Sequence, residues 1–229
     1  MPRAARRSKA QIRADNETAI LRAAEEVFAN HGFKGASTGQ IAEIAGIPKA
    51  NLHYYFPTKE DLYRRVIDDI FNLWMEAAAS FDRQEDPVPA LSEYIRAKMH
   101  LSRTRPLGSR IWASEIISGA PVVYDALETT LKDWTETRVA RIDKWVDKGL
   151  IAPVNARGLL YMIWATTQHY ADFARQIAAL NNGRELSEDQ FEEFTRFVIG
   201  LILRGIGAVG APEPVAMPDA LRQIGAPAE

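Results

Sequence analysis

The chain has no cysteine. Disulfides, thiolate metal sites and cysteine nucleophiles are excluded, and the absence suits a reducing, cytoplasmic setting. It has no N-terminal apolar stretch of signal-peptide length and no apolar run of about eighteen residues, which argues against export and membrane spanning. The histidines stand apart at 31, 53, 100 and 169, so none has metal-ligand spacing and no metal is expected. There is no glycine loop to cradle a phosphate and no nucleophile elbow. No cofactor is expected. Adjacent carboxylates such as Asp68 and Asp69 read as a solvated face. A buried set of Lys98, Glu115 and His169 is the only catalytic prospect, and a binding pocket uses the same residue types. The chain reads as a non-enzyme.

What is present is enough for two modest domains or one large one: 229 residues, 47% hydrophobic and 25% charged. The net charge of -2 hides an asymmetry. Residues 1–65 hold 11 basic and 7 acidic side chains, and the remainder holds 17 and 23. The excess positive charge gathers at Arg3, Arg6, Arg7, Lys9 and Arg13. Residues 1–14 therefore read as a basic arm. Phosphate attraction would call for such an arm beside a folded unit. A solubilising tail would have the same composition.

Helical periodicity begins near Asp15, with Ile20, Ala24, Val27 and Phe28 on one face. Gly32 is a plausible stop. Ser37-Thr38-Gly39-Gln40 is a capping box for a short helix with Ile41, Ile44 and Ala45 on its apolar side. Gly46 and Ile47 make a turn, and Pro48 suits the first position of the next helix. Thr58-Lys59-Glu60-Asp61 caps another helix through Leu62, Val66, Ile70 and Phe71. Further helices are expected over 90–102, 107–118, 122–148, 155–180 and 187–207. Pro87, Pro89, Pro106, Pro121 and Pro153 fall between them. No run alternates with period two, so the chain is predicted to be all-α. The predicted domains are a helical unit over 15–60, a larger helical domain over 61–208, and a tail over 209–229 rich in Ala, Pro and Gly.

Two short helices joined at Ala45-Gly46-Ile47 have helix-turn-helix spacing. The second would expose Lys49, Asn51 and His53, side chains suited to base edges and phosphates, while Leu52 and Phe56 face the core. Tyr54 and Tyr55 point different ways on a helix, so one hydroxyl could reach phosphate while the other ring packs. An ordinary helical hairpin with a solvated polar face has the same spacing.

The segment from Phe28 to Leu62 resembles the DNA-binding domain of TetR-type transcriptional regulators. The resemblance rests on Phe33, Ser37, Ile41-Ala42, Ala45-Gly46-Ile47, the run Leu52-His53-Tyr54-Tyr55-Phe56 and Lys59-Glu60-Asp61-Leu62. It implies a homodimer on a near-palindromic double-stranded operator and a C-terminal domain for a small effector. The implied DNA-contacting set is Ser37, Thr38, Gln40, Pro48, Lys49, Ala50, Asn51, His53, Tyr54 and Lys59, with Arg3, Arg6 and Arg7 of the arm. The chain departs from the family pattern at Ala36, usually Thr, at Pro48, usually Ser or Thr, and at Gly39, often basic. These departures leave the operator sequence open.

The C-terminal half is similar to the RutR-like subfamily, regulators of pyrimidine utilisation. The likeness lies in the run from Ile163 to Phe173, in Glu93-Tyr94-Ile95-Arg96 with Lys98, and in the turn Ser118-Gly119-Ala120-Pro121. It implies a pyrimidine base, uracil or thymine, as effector; another small nitrogenous or aromatic ligand is the alternative. Gln168 offers both donor and acceptor, as a lactam edge requires. Trp74 and Trp112 could stack on a ring, and Lys98, Glu115 and His169 could close a polar pocket. Each is equally readable as an ordinary core or surface residue. Ala165 is small enough for close helix approach, and Phe191, Phe194, Val198 and Leu201 form an apolar stripe. The family places its dimer interface there, although internal packing would use the same stripe. A small-molecule enzyme or an interaction-only bundle is the reading from outside the regulator class.

Overall fold

The computed structural model describes residues 8–212. Among these the chain is all-α, with no strand. It divides into two compact units. One comprises residues up to Asn72 together with Arg110–Tyr124, and the other Leu73–Ser109 with the chain from Asp125 on.

In the first unit α1 runs Lys9–Gly35. It starts well before Asp15 because Ser8 and Gln11 form a capping box, each side chain accepting from the other's backbone N–H. Lys9 and Arg13, read above as part of the arm, are therefore helical, while Arg3, Arg6 and Arg7 lie outside the described residues. Gly32 breaks α1 as expected, at φ 64°, but helical residues resume after it. The buried stripe is Ile20, Ala23, Ala24, Val27 and Phe28. The next helices are α2 (Thr38–Ile44) and α3 (Lys49–Tyr55), with α2 packing on α1 and α3 on α2. Then comes α4 (Lys59–Ala77), whose Tyr63 ring sits 4.9 Å from both Phe28 and Phe33. The unit also holds α7 (Pro106–Ile117) from Arg110 on.

The second unit is built round α6 (Pro87–Thr104), against which α5 (Ser80–Arg83), α10 (Ala156–Asp172) and α12 (Glu188–Gly205) all pack. Leu91, Ile95, Met99, Leu160, Ile163, Ile202 and Leu203 are buried in one cluster with Phe81 and Trp145. Each such side chain contributes about 1.5–3 kcal/mol relative to exposure. Pro87 and Pro89 open α6, and Pro106 opens α7, instead of separating helices. The first turn has no intrahelical use for their missing N–H groups.

The helix expected over 122–148 is interrupted. Following α8 (Tyr124–Ala126), a π-helical turn spans Leu127–Leu131 and α9 takes Lys132–Asp147. The bond from Lys132 N–H to Leu127 O spans one residue more than an α-helix allows. Short α5 is clipped to α9: Arg138 pairs with Asp82 at 2.8 Å, and Trp145 donates to Glu85 O at 2.7 Å. The helix expected over 155–180 stops at Phe173, and α11 continues as Ala174–Leu180. No helix of the described residues is long and apolar enough to cross a membrane.

Candidate DNA interface and effector site

The α2–α3 pair is held by local chemistry. Ser37 Oγ accepts from Gln40 N–H at 3.2 Å, and Gln40 Oε1 accepts from Ser37 N–H at 3.1 Å. Gly46 turns the chain at φ 67°, which lets Ile47 N–H reach Ala42 O and Gly46 N–H reach Glu43 O. Pro48 is the cap of α3 and not its first residue; its ψ of 140° is extended, and its carbonyl accepts from Asn51 and Leu52. Leu52 is fully buried and anchors the helix, which leaves Pro48, Lys49, Ala50, Asn51, His53 and Tyr54 exposed.

The two tyrosines divide as their positions demand. Tyr55 is half-buried, and its hydroxyl accepts from Asn16 at 3.3 Å. Tyr54 is 73% exposed, with the Arg13 guanidinium 5.9 Å from its ring centre. His53 Nδ1 lies 3.3 Å from Pro57 O. A carbonyl only accepts, so in this contact Nδ1 is the donor. Ser37 and Gln40 are exposed and Thr38 is half-buried at the start of α2. Lys59 turns inward. Its ammonium donates to Phe33 O at 2.8 Å and Ala36 O at 3.0 Å, and lies 4.5 Å from the centre of the Phe33 ring.

The second unit contains a buried cation. Lys98 on α6 is 4% exposed, and its ammonium lies 4.4 Å from the centre of the Trp74 ring. Burial lowers its pKa from 10.5 to about 8, against the opposing attraction of Asp172. Asp172 in turn accepts from Ser109 Oγ at 2.7 Å. Ser102 Oγ donates to Thr167 O at 2.7 Å and lies 3.1 Å from Lys98 O, tying α6 to α10 beside this cluster. Gln168 follows Thr167 and is half-buried; His169 is exposed and stacks on Phe173 at 4.8 Å. Trp112 and Glu115 belong to the first unit. There Trp112 stacks on Phe71 at 5.6 Å. Glu115 accepts from Tyr63 OH at 3.1 Å and from Val122 N–H at 2.6 Å. Of the six candidate effector residues, the structure pairs Trp74 with Lys98. No three His, Asp or Glu among the described residues are grouped to hold a metal.

Residues 20–66 match the family described as bacterial regulatory proteins, tetR family, and residues 67–209 match the YcdC-like protein, C-terminal region. The chain belongs to the TetR family. It is 42% identical over 188 residues to the HTH-type transcriptional regulator RutR of Escherichia coli (strain K12), an overlap of 82% of this chain and 89% of that protein. A TetR family transcription regulator from Marinobacter aquaeolei VT8 superposes with a TM-score of 0.64 at 22% identity, covering 83% of this chain and 96% of that one. The ketosteroid transcriptional regulator KstR2 of Mycobacterium tuberculosis gives 0.65 at 19% identity, over 83% and 94%. At such identities the two structures speak for the fold alone.

For a TetR-family regulator, a DNA-binding and dimeric class, the outward apolar face of the second unit matters. On α12, Phe191 and Val198 lie in the unit's own core, and Phe194 is half-buried against Tyr170 at 5.9 Å. Leu201 is 55% exposed and Phe197, one turn earlier, 53%. On α10, Ala165 is exposed along with Met162, as is Phe173 just past the helix end. The stripe read from sequence thus splits, with Phe191 and Val198 inward and Leu201 and Ala165 outward. Phe197 and Met162 join them outside as large apolar side chains left exposed, and their signal in sequence is an apolar residue off the buried stripe of its helix.

Proposed function

We propose that this TetR-family regulator is a repressor that holds a palindromic operator through α3 and is released by a pyrimidine base, uracil or thymine. Lys49, Asn51 and His53 read base edges. Pro48, Ala50 and Tyr54, with the α2 start at Ser37, Thr38 and Gln40 and the arm residues Arg3, Arg6 and Arg7, lie against or beside the phosphates. Leu201, Phe197 and Ala165 meet the second copy.

The effector reading is carried by one observation: an ammonium buried on an indole in the second unit, Lys98 on Trp74. Burying a cation is costly, and the Trp74 face offsets part of that cost. It suits a planar ligand whose ring carbonyl accepts from the ammonium. Gln168 supplies the donor and acceptor that a lactam edge needs. Bound base favours a dimer state whose reading helices no longer match successive grooves.

The DNA half of the reading is tested on a duplex selected from a random pool by the wild-type protein. Lys49→Ala and Asn51→Ala are each expected to cost roughly 1–3 kcal/mol of binding, with helicity unchanged. Wild-type affinity in both folded variants contradicts the interface. Gln168→Leu keeps the bulk of the side chain and should weaken uracil binding while dimer and DNA binding persist.

A further inference from the structure

Glu115 is a buried carboxylate with no cation opposite it among its hydrogen bonds. Its two oxygens are both used, and both bonds lie within the first unit. Oε1 accepts from Val122 N–H, just past a corner where Ala120 is held at φ 56°, a conformation L residues rarely adopt. Oε2 accepts from the Tyr63 hydroxyl on α4. Glu115 and Tyr63 are 3% and 4% exposed. Burial, and then the carboxylate itself, push the Tyr63 hydroxyl far above its ordinary pKa, so it stays a donor.

The contact does not end at Tyr63. Its ring packs on Phe28 and Phe33, the last aromatics of α1. One turn earlier on α4, Lys59 clasps the carbonyls of Phe33 and Ala36. Ala36 is followed directly by Ser37, the cap of α2. A continuous run of packed and hydrogen-bonded groups thus joins the end of α7 to the junction between α1 and the helix-turn-helix.

We propose that Glu115 is a positioning residue for DNA binding, acting through Tyr63, Phe33 and Lys59 to fix the exit of α1 and the entry of α2, and hence the placement of α3. It rests on the DNA-binding reading above. It gives Glu115 a task other than effector contact. A shift of the α7 corner reaches the reading helix through Tyr63, because the carboxylate ties that corner to α4. The positive φ of Ala120 is a strained conformation that persists where the surroundings hold it, and the Glu115–Val122 bond is one of the contacts at that corner.

The test is a double-mutant cycle on the full-length protein with Tyr63→Phe, Glu115→Met and the pair combined. Affinity is read on the selected duplex, and thermal midpoints are read separately. Tyr63→Phe removes one oxygen and little else. Tyr63→Phe is expected to weaken binding roughly tenfold, Glu115→Met at least as much because it also gives up the Val122 bond, and the double change no further than Glu115→Met alone, because the Tyr63–Glu115 contact is common to both. Glu115→Gln is the conservative rescue. Its amide oxygen accepts from Val122 N–H and its nitrogen donates to the Tyr63 oxygen, so affinity returns to within about twofold of wild type. Hydrogen exchange of the α2 and α3 amides should quicken in Tyr63→Phe and not in Glu115→Gln. Unchanged affinity in Tyr63→Phe, even with a lowered thermal midpoint, overturns the proposal and leaves a merely structural bond. Additive losses in the double variant overturn it as well. If Tyr63→Phe binds normally while Lys49→Ala does not, the DNA reading stands and the positioning role falls; a wild-type protein that selects no duplex overturns both.

Discussion

Lys98 shows what a single side chain can state about the molecule. Its pKa is lowered by burial from 10.5 to about 8. Below pH 8 both folded and unfolded chains carry the proton, and the burial penalty applies in full. Between about 8 and 10.5 the folded chain releases its proton first, so stability rises with pH. The whole increment is roughly 3 kcal/mol. Denaturation of wild type and Lys98→Met across this window should show the rise in the former and its absence in the latter. Parallel curves would mean the ammonium is not buried. Residue roles were legible in sequence where the partner is local, as with Ser37 and Gln40. They were not legible where the partner is a backbone carbonyl or a distant ring. The resemblance placed Lys59 in the DNA-contacting set, but its bonds to Phe33 O and Ala36 O could not be read there, because carbonyls leave no mark in a sequence. The adjacent Tyr54 and Tyr55 could be told to differ but not which one packs, because that depends on Asn16 in another helix.

Helix starts were readable where cap chemistry is explicit, as at Ser37 and at Thr58, whose hydroxyl and Asp61 carboxylate bond reciprocally. The start of α1 is less legible, because the Ser8–Gln11 box lies among basic residues whose composition also suits an arm. The π-helical turn at Leu127–Leu131 was invisible because one extra residue in a half-exposed segment barely disturbs a 3.6 period. The short α5 offers too few residues for any period. The turn between α2 and α3 makes a sharper claim. Gly46 stands at φ 67°, and a Cβ there would meet nothing within 4 Å. Gly46→Ala should therefore cost backbone strain alone, roughly 1–2 kcal/mol of stability, and Gly46→Asn less, since asparagine tolerates this region better. Equal thermal midpoints for wild type and Gly46→Ala would refute the turn geometry.

At the scale of the whole molecule, the all-α class and the helix-turn-helix near the N-terminus were legible from periodicity and caps. The way the chain returns at Arg110–Tyr124 to complete the first unit was not, since no local pattern encodes a partner so distant in sequence. Assembly makes a testable demand on the second unit. Leu201→Glu and Phe197→Glu place charge on the outward face of α12 and should turn the dimer into a monomer in sedimentation. Val198→Ala, inside the core, should lower stability by roughly 2–3 kcal/mol and leave the dimer intact. A dimer that survives both outward changes uses another surface.

The central claim joins the two units: a pyrimidine base and operator DNA oppose each other. Coupling between two ligands is reciprocal, so one calorimetric measurement tests it. Uracil is titrated into the free protein and into the protein saturated with its selected duplex, with cytosine and a purine base as controls. The expected result is heat from uracil and thymine, weaker binding of cytosine, and uracil affinity reduced by about five- to a hundredfold on DNA. Equal uracil affinity in the two states would contradict the switch, because a ligand with no preference between states shifts neither. Heat from the purine alone would contradict the choice of ligand.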